Sequence, residues 1–186
     1  MVHVVLLHSI LGLRQAEHDI ASELEKDGQT VVLPDLYDGR STDDYEAGFR
    51  LKDEIGDQTI MSRARAAIEA APDDAVLSGV SFGAFLVGTF WGNRPAMKGA
   101  LLFAGVGPWM EPRRRGLPVS VHLARPDPFD DESFFADWSA DAGDAAVELH
   151  RYDGVGHYFL DRSLPDYDQA AAERCLERSR AFLNAL

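Results

Sequence analysis

The chain has 186 residues, of which 46% are apolar, 18 are basic and 31 are acidic, so its formal net charge is −13. This length and apolar content suit a single domain, and we expect residues 1–186 to form it around one core. The negative charge argues against nucleic acid and anionic membranes as partners, and the single cysteine, Cys175, excludes an internal disulfide and a cysteine-based zinc site.

The predicted elements alternate between short apolar strands and amphipathic helices. In chain order they are a strand at 2–7, a helix at 13–24, a strand at 30–33, one or two helices within 41–71 that break near Gly56, a strand at 75–77 that runs into a turn, a helix at 84–90, strands at 99–104 and 118–123, a helix at 131–142, a strand at 146–152 and a helix at 166–186. This alternation predicts a three-layer α/β/α sandwich with a mostly parallel sheet and without a large lid domain.

The N-terminal segment is informative about the cellular location of the protein. Residues 1–8 are apolar for only a short stretch and lack a basic leader, so neither a signal peptide nor a membrane span is expected. One free thiol fits a reducing compartment, and we expect a cytoplasmic protein. We further expect a small-molecule substrate and neither a metal nor a cofactor. Because the pattern shows no extra apolar surface, we expect a monomer.

Gly79-Val80-Ser81-Phe82-Gly83 is the most informative motif. A GxSxG between a strand and a helix is typical of a nucleophile elbow, in which two glycines permit a sharp turn that exposes the serine. Ser81 would then stand at a helix N-terminus, where backbone N–H groups favour negative charge. The pattern alone is weak, because glycine turns are common.

A serine nucleophile needs a base, and His157 is the best candidate. It lies in a glycine-rich loop between the last strand and the last helix, which agrees with the order serine, acid, histidine that accompanies this elbow. The other five histidines lie in predicted strands, on a surface helix or before the serine: His3, His122, His150, His18 and His8.

The acid that would orient this base is predicted to be Asp127, which directly follows the strand at 118–123. Asp130 and Asp131 are rivals, but they stand closer to the next helix, where an acidic residue more often serves as a cap.

Two backbone N–H groups are expected to form an oxyanion hole. One belongs to Phe82, the residue after the nucleophile, and the other to Ile10 in the loop after the first strand, where Gly12 allows a tight turn.

Five segments together resemble the dienelactone hydrolase family of the α/β-hydrolase superfamily, and the resemblance runs through nearly the whole chain. They are the first-strand loop at 8–13, Pro-Asp-Leu-Tyr within 33–37, the elbow at 79–84, the acid segment at 122–127 and the Gly-His-x-Phe base segment at 156–159. The resemblance implies an α/β-hydrolase fold and a catalytic triad.

The chain departs from the family pattern at substrate-binding and nucleophile positions. Ser81 replaces the cysteine nucleophile, Ser9 replaces a glutamate that controls the thiol, and Asp161, with Arg162 beside it, replaces an arginine that binds the substrate carboxylate. These changes favour a serine hydrolase that cleaves a neutral ester or lactone over one that cleaves dienelactone.

Five residues are candidates for contact with the substrate: Ser9, Leu11, Trp109, Tyr158 and Phe159. For the aromatic residues, core packing is an equal alternative to walling an acyl pocket. The cluster Arg113-Arg114-Arg115 could hold an anionic group, although a solvated loop is the simpler interpretation.

The predicted function is therefore ester or lactone hydrolysis through an acyl-enzyme on Ser81. Two alternatives remain open: a non-catalytic ligand-binding protein on the same fold, and a thioesterase or carbon–carbon bond hydrolase that uses the same triad.

Overall fold

One parallel sheet organises the computed structural model, which describes residues 1–112 and 114–186. Within those residues it has six strands: β1 (His3–Leu7), β2 (Thr30–Val32), β3 (Val76–Val80), β4 (Ala100–Phe103), β5 (Pro118–Arg125) and β6 (Ala146–Asp153). Their order is β2-β1-β3-β4-β5-β6, and every neighbouring pair is parallel. The sheet therefore has a topological switch point between β1 and β3, at whose carboxyl ends ligands bind in such folds.

Helices cover both faces of this sheet. They are α1 (Gln15–Leu24), α2 (Tyr45–Ile55), α3 (Asp57–Ala70), α4 (Phe82–Phe90), α5 (Glu132–Ala140) and α6 (Gln169–Asn184). The apolar cores on the two faces are distinct: α3, α4 and α5 pack on one, and α1 and α6 pack on the other. The predicted three-layer α/β/α sandwich is confirmed.

The central strands β1, β3 and β4 are mostly apolar and almost entirely buried, because both faces of the sheet are covered. In β1, Val5 and Leu7 join the core under α3 to α5, whereas Val4 and Leu6 join the core under α1 and α6. Cys175 of α6 is fully buried in the second core, as its helical spacing predicts.

Local capping sets the helix boundaries. The helical segment predicted over 41–71 is two helices, divided at Gly56, which has φ 86° and ψ 139°. The last helix begins three residues later than the pattern at 166–186 suggests, because the Asp168 side chain accepts a hydrogen bond from the Ala171 N–H at 2.8 Å and so caps it.

A buried histidine links the sheet to α6. His122 Nδ1 lies 2.9 Å from Tyr152 Oη, and Nε2 lies 3.3 Å from Ser179 Oγ. Burial lowers the pKa of His122 well below its ordinary value, and the nearby His150 and Arg178 act in the same direction. The ring is therefore neutral near pH 7, and His122 is a structural histidine, as its position in a strand predicts.

We predict that the free energy of unfolding falls as the pH drops below about 6.5, the ordinary pKa of histidine in an unfolded chain. Between that value and the lowered pKa of His122 in the folded state, the unfolded chain binds more protons, so acid favours unfolding. Within this window, one such group lowers the free energy of unfolding by about 1.4 kcal/mol for each pH unit of acidification. Denaturant titrations at about pH 7.5, 6.5 and 5.5 measure the slope. A His122→Gln variant should have a flatter slope, and an equal slope would contradict the assignment.

Candidate active site

The serine of the elbow stands on strained backbone. Ser81 has φ 51° and ψ −106°, a conformation that non-glycine residues rarely adopt. A Cβ on Gly79 would lie 2.2 Å from the carbonyl carbon of Gly83, and a Cβ on Gly83 would lie 2.2 Å from the carbonyl oxygen of Leu7. Both positions therefore require glycine, and their missing side chains allow β3 to turn directly into α4 with Ser81 at the turn.

His157 joins this serine to a carboxylate. Its Nε2 lies 2.9 Å from Ser81 Oγ, and its Nδ1 lies 2.7 Å from Asp127 Oδ2. The side chains of His157 and Asp127 are 4% and 1% exposed. With Nδ1 protonated and donating to Asp127, Nε2 can accept the proton of the serine hydroxyl. The structure thus brings together the three side chains that the sequence nominates as nucleophile, base and acid.

The environment of Asp127 keeps it ionised. Burial alone would raise the pKa of Asp127, but the hydrogen bond and charge of His157 and the N–H groups of Phe129 and Asp130 lower the pKa below its ordinary value. Those two N–H groups donate to Asp127 Oδ1 at 2.9 and 3.4 Å. A charged carboxylate beside Nδ1 stabilises an imidazolium.

Asp130 and Asp131, the two alternatives to Asp127, do not contact His157 through their carboxylates. Asp131 caps α5, because its side chain accepts from the Phe134 N–H at 2.8 Å. Asp130 faces the cavity beside the serine, and burial, followed by the charge of Asp127, raises the pKa of Asp130. Asp127 is the carboxylate that contacts His157.

The loop after β1 brings Ile10 to the cavity that Ser81 lines. Gly12, with φ 91°, lets this loop turn, and its N–H donates to the carbonyl oxygen of Ser9 at 3.2 Å. No backbone carbonyl of the described residues accepts from the Ile10 N–H. Phe82 is the first residue of α4, so its N–H lacks an acceptor within the helix. Ile10 and Phe82 both line the cavity that contains Ser81.

A cavity of about 280 Å³ opens over Ser81 and His157. Four phenylalanines form its rim, and their side chains are 44–49% exposed: Phe49, Phe85, Phe129 and Phe134. Such large apolar side chains are normally buried, and their grouping around one cavity indicates an apolar ligand. A larger groove of about 690 Å³ lies between α1 and α6. None of the three catalytic candidates lines it, and charged side chains form much of its wall.

The cavity has little positive charge to offer. Asp130 is its carboxylate, and no lysine or arginine of residues 1–112 and 114–186 lines it. Asp161, which replaces the arginine of the family pattern, is paired with Arg14 at 2.8 Å, and the Arg162 guanidinium lies 5.5 Å from the ring centroid of Tyr167. An anionic group in this cavity would therefore meet no lysine or arginine among the described residues.

Ser9, Leu11 and Phe159, three of the substrate-contact candidates, do not line the cavity over Ser81. Ser9 Oγ accepts from the Leu11 N–H at 3.3 Å, and both side chains are buried within the loop. The Phe159 ring packs on the Tyr152 ring with centroids 4.8 Å apart, in the core under α1 and α6. These side chains stabilise the loops through buried contacts.

Trp109 is partly buried, packs against the core under α3 to α5 and does not line the cavity over Ser81. Its ring is stacked between those of Trp91 and Trp138, with centroids 4.5 and 4.7 Å away, and its Nε1 donates to the carbonyl oxygen of Trp138 at 2.7 Å. Of the five substrate-contact candidates, Tyr158 does line the cavity.

Arg114 and Arg115, the described members of the arginine cluster, do not line this cavity. Arg113 lies outside the described residues. Arg114 donates to the carbonyl oxygen of Met97, and Arg115 pairs with Asp144 at 3.3 Å on the surface. Neither of these two arginines lines the cavity over Ser81.

The sequence analysis missed the aromatic residues that enclose the site. Tyr45 stacks on Tyr158 with ring centroids 5.3 Å apart, and the Phe129 ring lies edge-on to the His157 ring at 4.6 Å. A signal was present, because Tyr45 and Phe49 are four residues apart on a predicted helix and Phe129 follows the acid segment closely.

Asp166 was missed as well. Its Oδ2 accepts from the Tyr45 hydroxyl at 2.7 Å and from the Tyr158 N–H at 3.0 Å, so it ties α2 to the base loop. A Cβ on Gly156 would lie 2.5 Å from Asp166 Cγ, which explains why a glycine precedes His157.

The described part of the chain contains neither a candidate metal site nor a helix that could span a membrane. No group of three or more His, Cys, Asp or Glu side chains there is arranged to hold a metal ion. None of its helices combines the length and apolar character needed to cross a membrane.

Comparisons with known proteins agree with this architecture. The model of the dienelactone hydrolase family matches residues 1–186. A Synechocystis sp. protein, provisionally named a carboxymethylenebutenolidase, is 26% identical over 119 residues, which are 56% of this chain and 48% of that protein. The match to this curated relative thus spans about half of its length.

Solved structures show the same fold. A dienelactone hydrolase-like promiscuous phosphotriesterase from metagenomic libraries superposes with a TM-score of 0.82 at 18% identity, covering 100% of this chain and 87% of that one. A provisionally named dienelactone hydrolase from Klebsiella pneumoniae subsp. pneumoniae superposes with a TM-score of 0.76 at 16% identity, covering 99% and 87%.

We predict that Gly83→Ala destabilises the protein by about 2–4 kcal/mol, because the new Cβ would collide with the carbonyl oxygen of Leu7 and push α4 away from β1. Gly116→Ala is the matched control, since its Cβ meets open space and its only strain is φ 64°. It should cost about 1–2 kcal/mol. Denaturant unfolding compares the two, and equal losses would contradict the packing argument.

Proposed function

The chain belongs to the dienelactone hydrolase family, and on that premise we propose that it is a serine hydrolase that cleaves a small, neutral, apolar ester or lactone through an acyl-enzyme on Ser81. The observation that carries this proposal is the chain of contacts from Ser81 Oγ through His157 to the buried carboxylate of Asp127. A metal-independent serine mechanism needs these three groups in this arrangement.

In the first half of the proposed reaction, Ser81 Oγ attacks the substrate carbonyl carbon while His157 Nε2 takes the hydroxyl proton. Asp127 holds the ring through Nδ1–H and stabilises the imidazolium that forms. The N–H groups of Phe82 and Ile10 donate to the oxyanion, and the N-terminus of α4 adds to the favourable field. The imidazolium then gives its proton to the leaving alcohol.

In the second half, water attacks the acyl-enzyme. His157 takes a proton from that water, the tetrahedral adduct collapses, and Ser81 regains its proton as the carboxylic acid departs. A lactone would follow the same path, with its alcohol still attached to the acyl group until this hydrolysis.

Two observations support the substrate class. The exposed phenylalanine rim suits apolar groups of a substrate. Burying the surface of one large apolar side chain contributes about 1.5–3 kcal/mol of favourable free energy. The net charge of −13, together with Asp130 at the cavity, would repel an anionic substrate.

We predict that wild-type protein treated with a fluorophosphonate acquires one adduct, located on Ser81 by peptide mass spectrometry, and hydrolyses p-nitrophenyl acetate and butyrate. Ser81→Ala should abolish labelling and lower kcat/KM by about 10⁴-fold or more, because the nucleophile is lost. Ser22→Ala, which changes an exposed serine of α1, is the control and should behave as wild type.

Two results would sink this proposal. Full esterase activity in Ser81→Ala would exclude the serine as nucleophile. Absence of both adduct and turnover from folded wild-type protein would favour a ligand-binding protein on the same fold.

Substrate charge provides a separate test. We predict that p-nitrophenyl butyrate has a kcat/KM at least about tenfold higher than p-nitrophenyl hemisuccinate, whose acyl group carries a carboxylate. Asp130→Asn should raise kcat/KM for the hemisuccinate about fivefold and leave the butyrate value nearly unchanged, since one like charge is removed from the cavity. Steady-state kinetics at low salt measures both ratios, and equal rates for the two esters in wild type would contradict the neutral-substrate assignment.

A further inference from the structure

The hydroxyl of Tyr158 is buried beside the nucleophile without a hydrogen-bond partner among the described residues. Tyr158 is 4% exposed and lines the same cavity as Ser81 and Ile10. Burying a hydroxyl without a partner costs free energy, so such a group needs an explanation.

This hydroxyl belongs to a residue that lines the same cavity as Ser81, Ile10 and Phe82, the residues of the proposed nucleophile and oxyanion donors. The hydroxyls of Ser81 and Ser9 and the N–H of Ile10 lie close enough to act on it: burial raises the pKa of Tyr158 to about 12, and these three groups oppose the rise. The phenol is therefore protonated near pH 7 and is a donor. Two of its neighbours, Ser81 Oγ and the Ile10 N–H, are groups that flank the oxyanion in the proposed reaction.

The ring is held rigidly in this place. Tyr45 stacks on it with the planes 15° apart, and the His157 ring meets it edge-on at 4.7 Å. The Tyr158 N–H donates to Asp166 Oδ2, so its backbone is anchored as well. A donor that is already oriented needs no reorganisation when charge develops.

We propose that Tyr158 is a catalytic residue whose hydroxyl is a third donor to the oxyanion, beside the N–H groups of Phe82 and Ile10. In the resting state the hydroxyl makes no hydrogen bond of ordinary geometry with the described residues, and it gains a charged acceptor only when the substrate carbonyl oxygen becomes negatively charged. An interaction made only then stabilises the transition state and not the bound substrate, so it raises kcat without lowering KM. This inference rests on the proposed serine hydrolase function.

The test is Tyr158→Phe, which removes only the oxygen. We expect kcat on p-nitrophenyl butyrate to fall by about 10- to 100-fold with KM changed less than about twofold, as for the loss of one oxyanion donor. A trifluoromethyl ketone, whose adduct with Ser81 carries an oxyanion, should lose affinity by a similar factor. The midpoint of denaturant unfolding should stay the same or rise, since an unsatisfied buried hydroxyl is removed.

Tyr37→Phe is the matched control. Tyr37 is also fully buried, and its hydroxyl likewise lacks a hydrogen-bond partner in the described part of the chain, but it does not line the cavity. Its removal should leave kcat, KM and ketone affinity unchanged.

The outcomes separate this inference from the function on which it rests. Fluorophosphonate labelling of wild-type Ser81 together with unchanged kcat in Tyr158→Phe would overturn the third donor and leave the serine hydrolase intact. A fall in activity accompanied by a lower unfolding midpoint and unchanged ketone affinity would make Tyr158 structural and would also overturn it. Failure of wild-type Ser81 to label would overturn both.

Discussion

The contact of α4 with β1 and β3 is the constraint on which the site depends. Gly79 and Gly83 leave room for backbone atoms alone, and the turn between them holds Ser81 at a positive φ. Such a conformation costs about 1–3 kcal/mol and persists only when its surroundings enforce it. Burial of the apolar side chains of α4, among them Leu86, Val87 and Phe90, supplies that enforcement.

The parallel sheet brings the remaining parts of the site to this point. Asp127 and His157 follow the adjacent strands β5 and β6, and Ile10 follows β1, so the loops meet at one carboxyl edge. Asp166 then braces the base loop against α2 through Tyr45. Asp127, His157 and Ile10 are thus positioned by loops that follow three strands of one sheet, with helices on both of its faces.

The cavity over Ser81 is less charged than the surface of the protein. Charged side chains of both signs pair over the acidic surface, whereas the cavity is framed by phenylalanines and contains few ionisable groups. A low local dielectric strengthens the hydrogen bonds between Ser81, His157 and Asp127, and it also makes an unpartnered hydroxyl costly. Local features that weaken folding are expected to concentrate at working sites.

The sequence by itself determined the order of strands and helices, the elbow at Ser81, and the nomination of Asp127 and His157, because periodicity, glycine spacing and position after a strand are local signals. It could not distinguish Tyr158, which lines the cavity, from its neighbour Phe159, which lies in the core. Nor could it assign Trp109 to a stack with Trp91 and Trp138, or find Asp166 and the phenylalanine rim. Only the tertiary structure decided these, because the direction in which a loop side chain points depends on contacts between segments far apart in the chain.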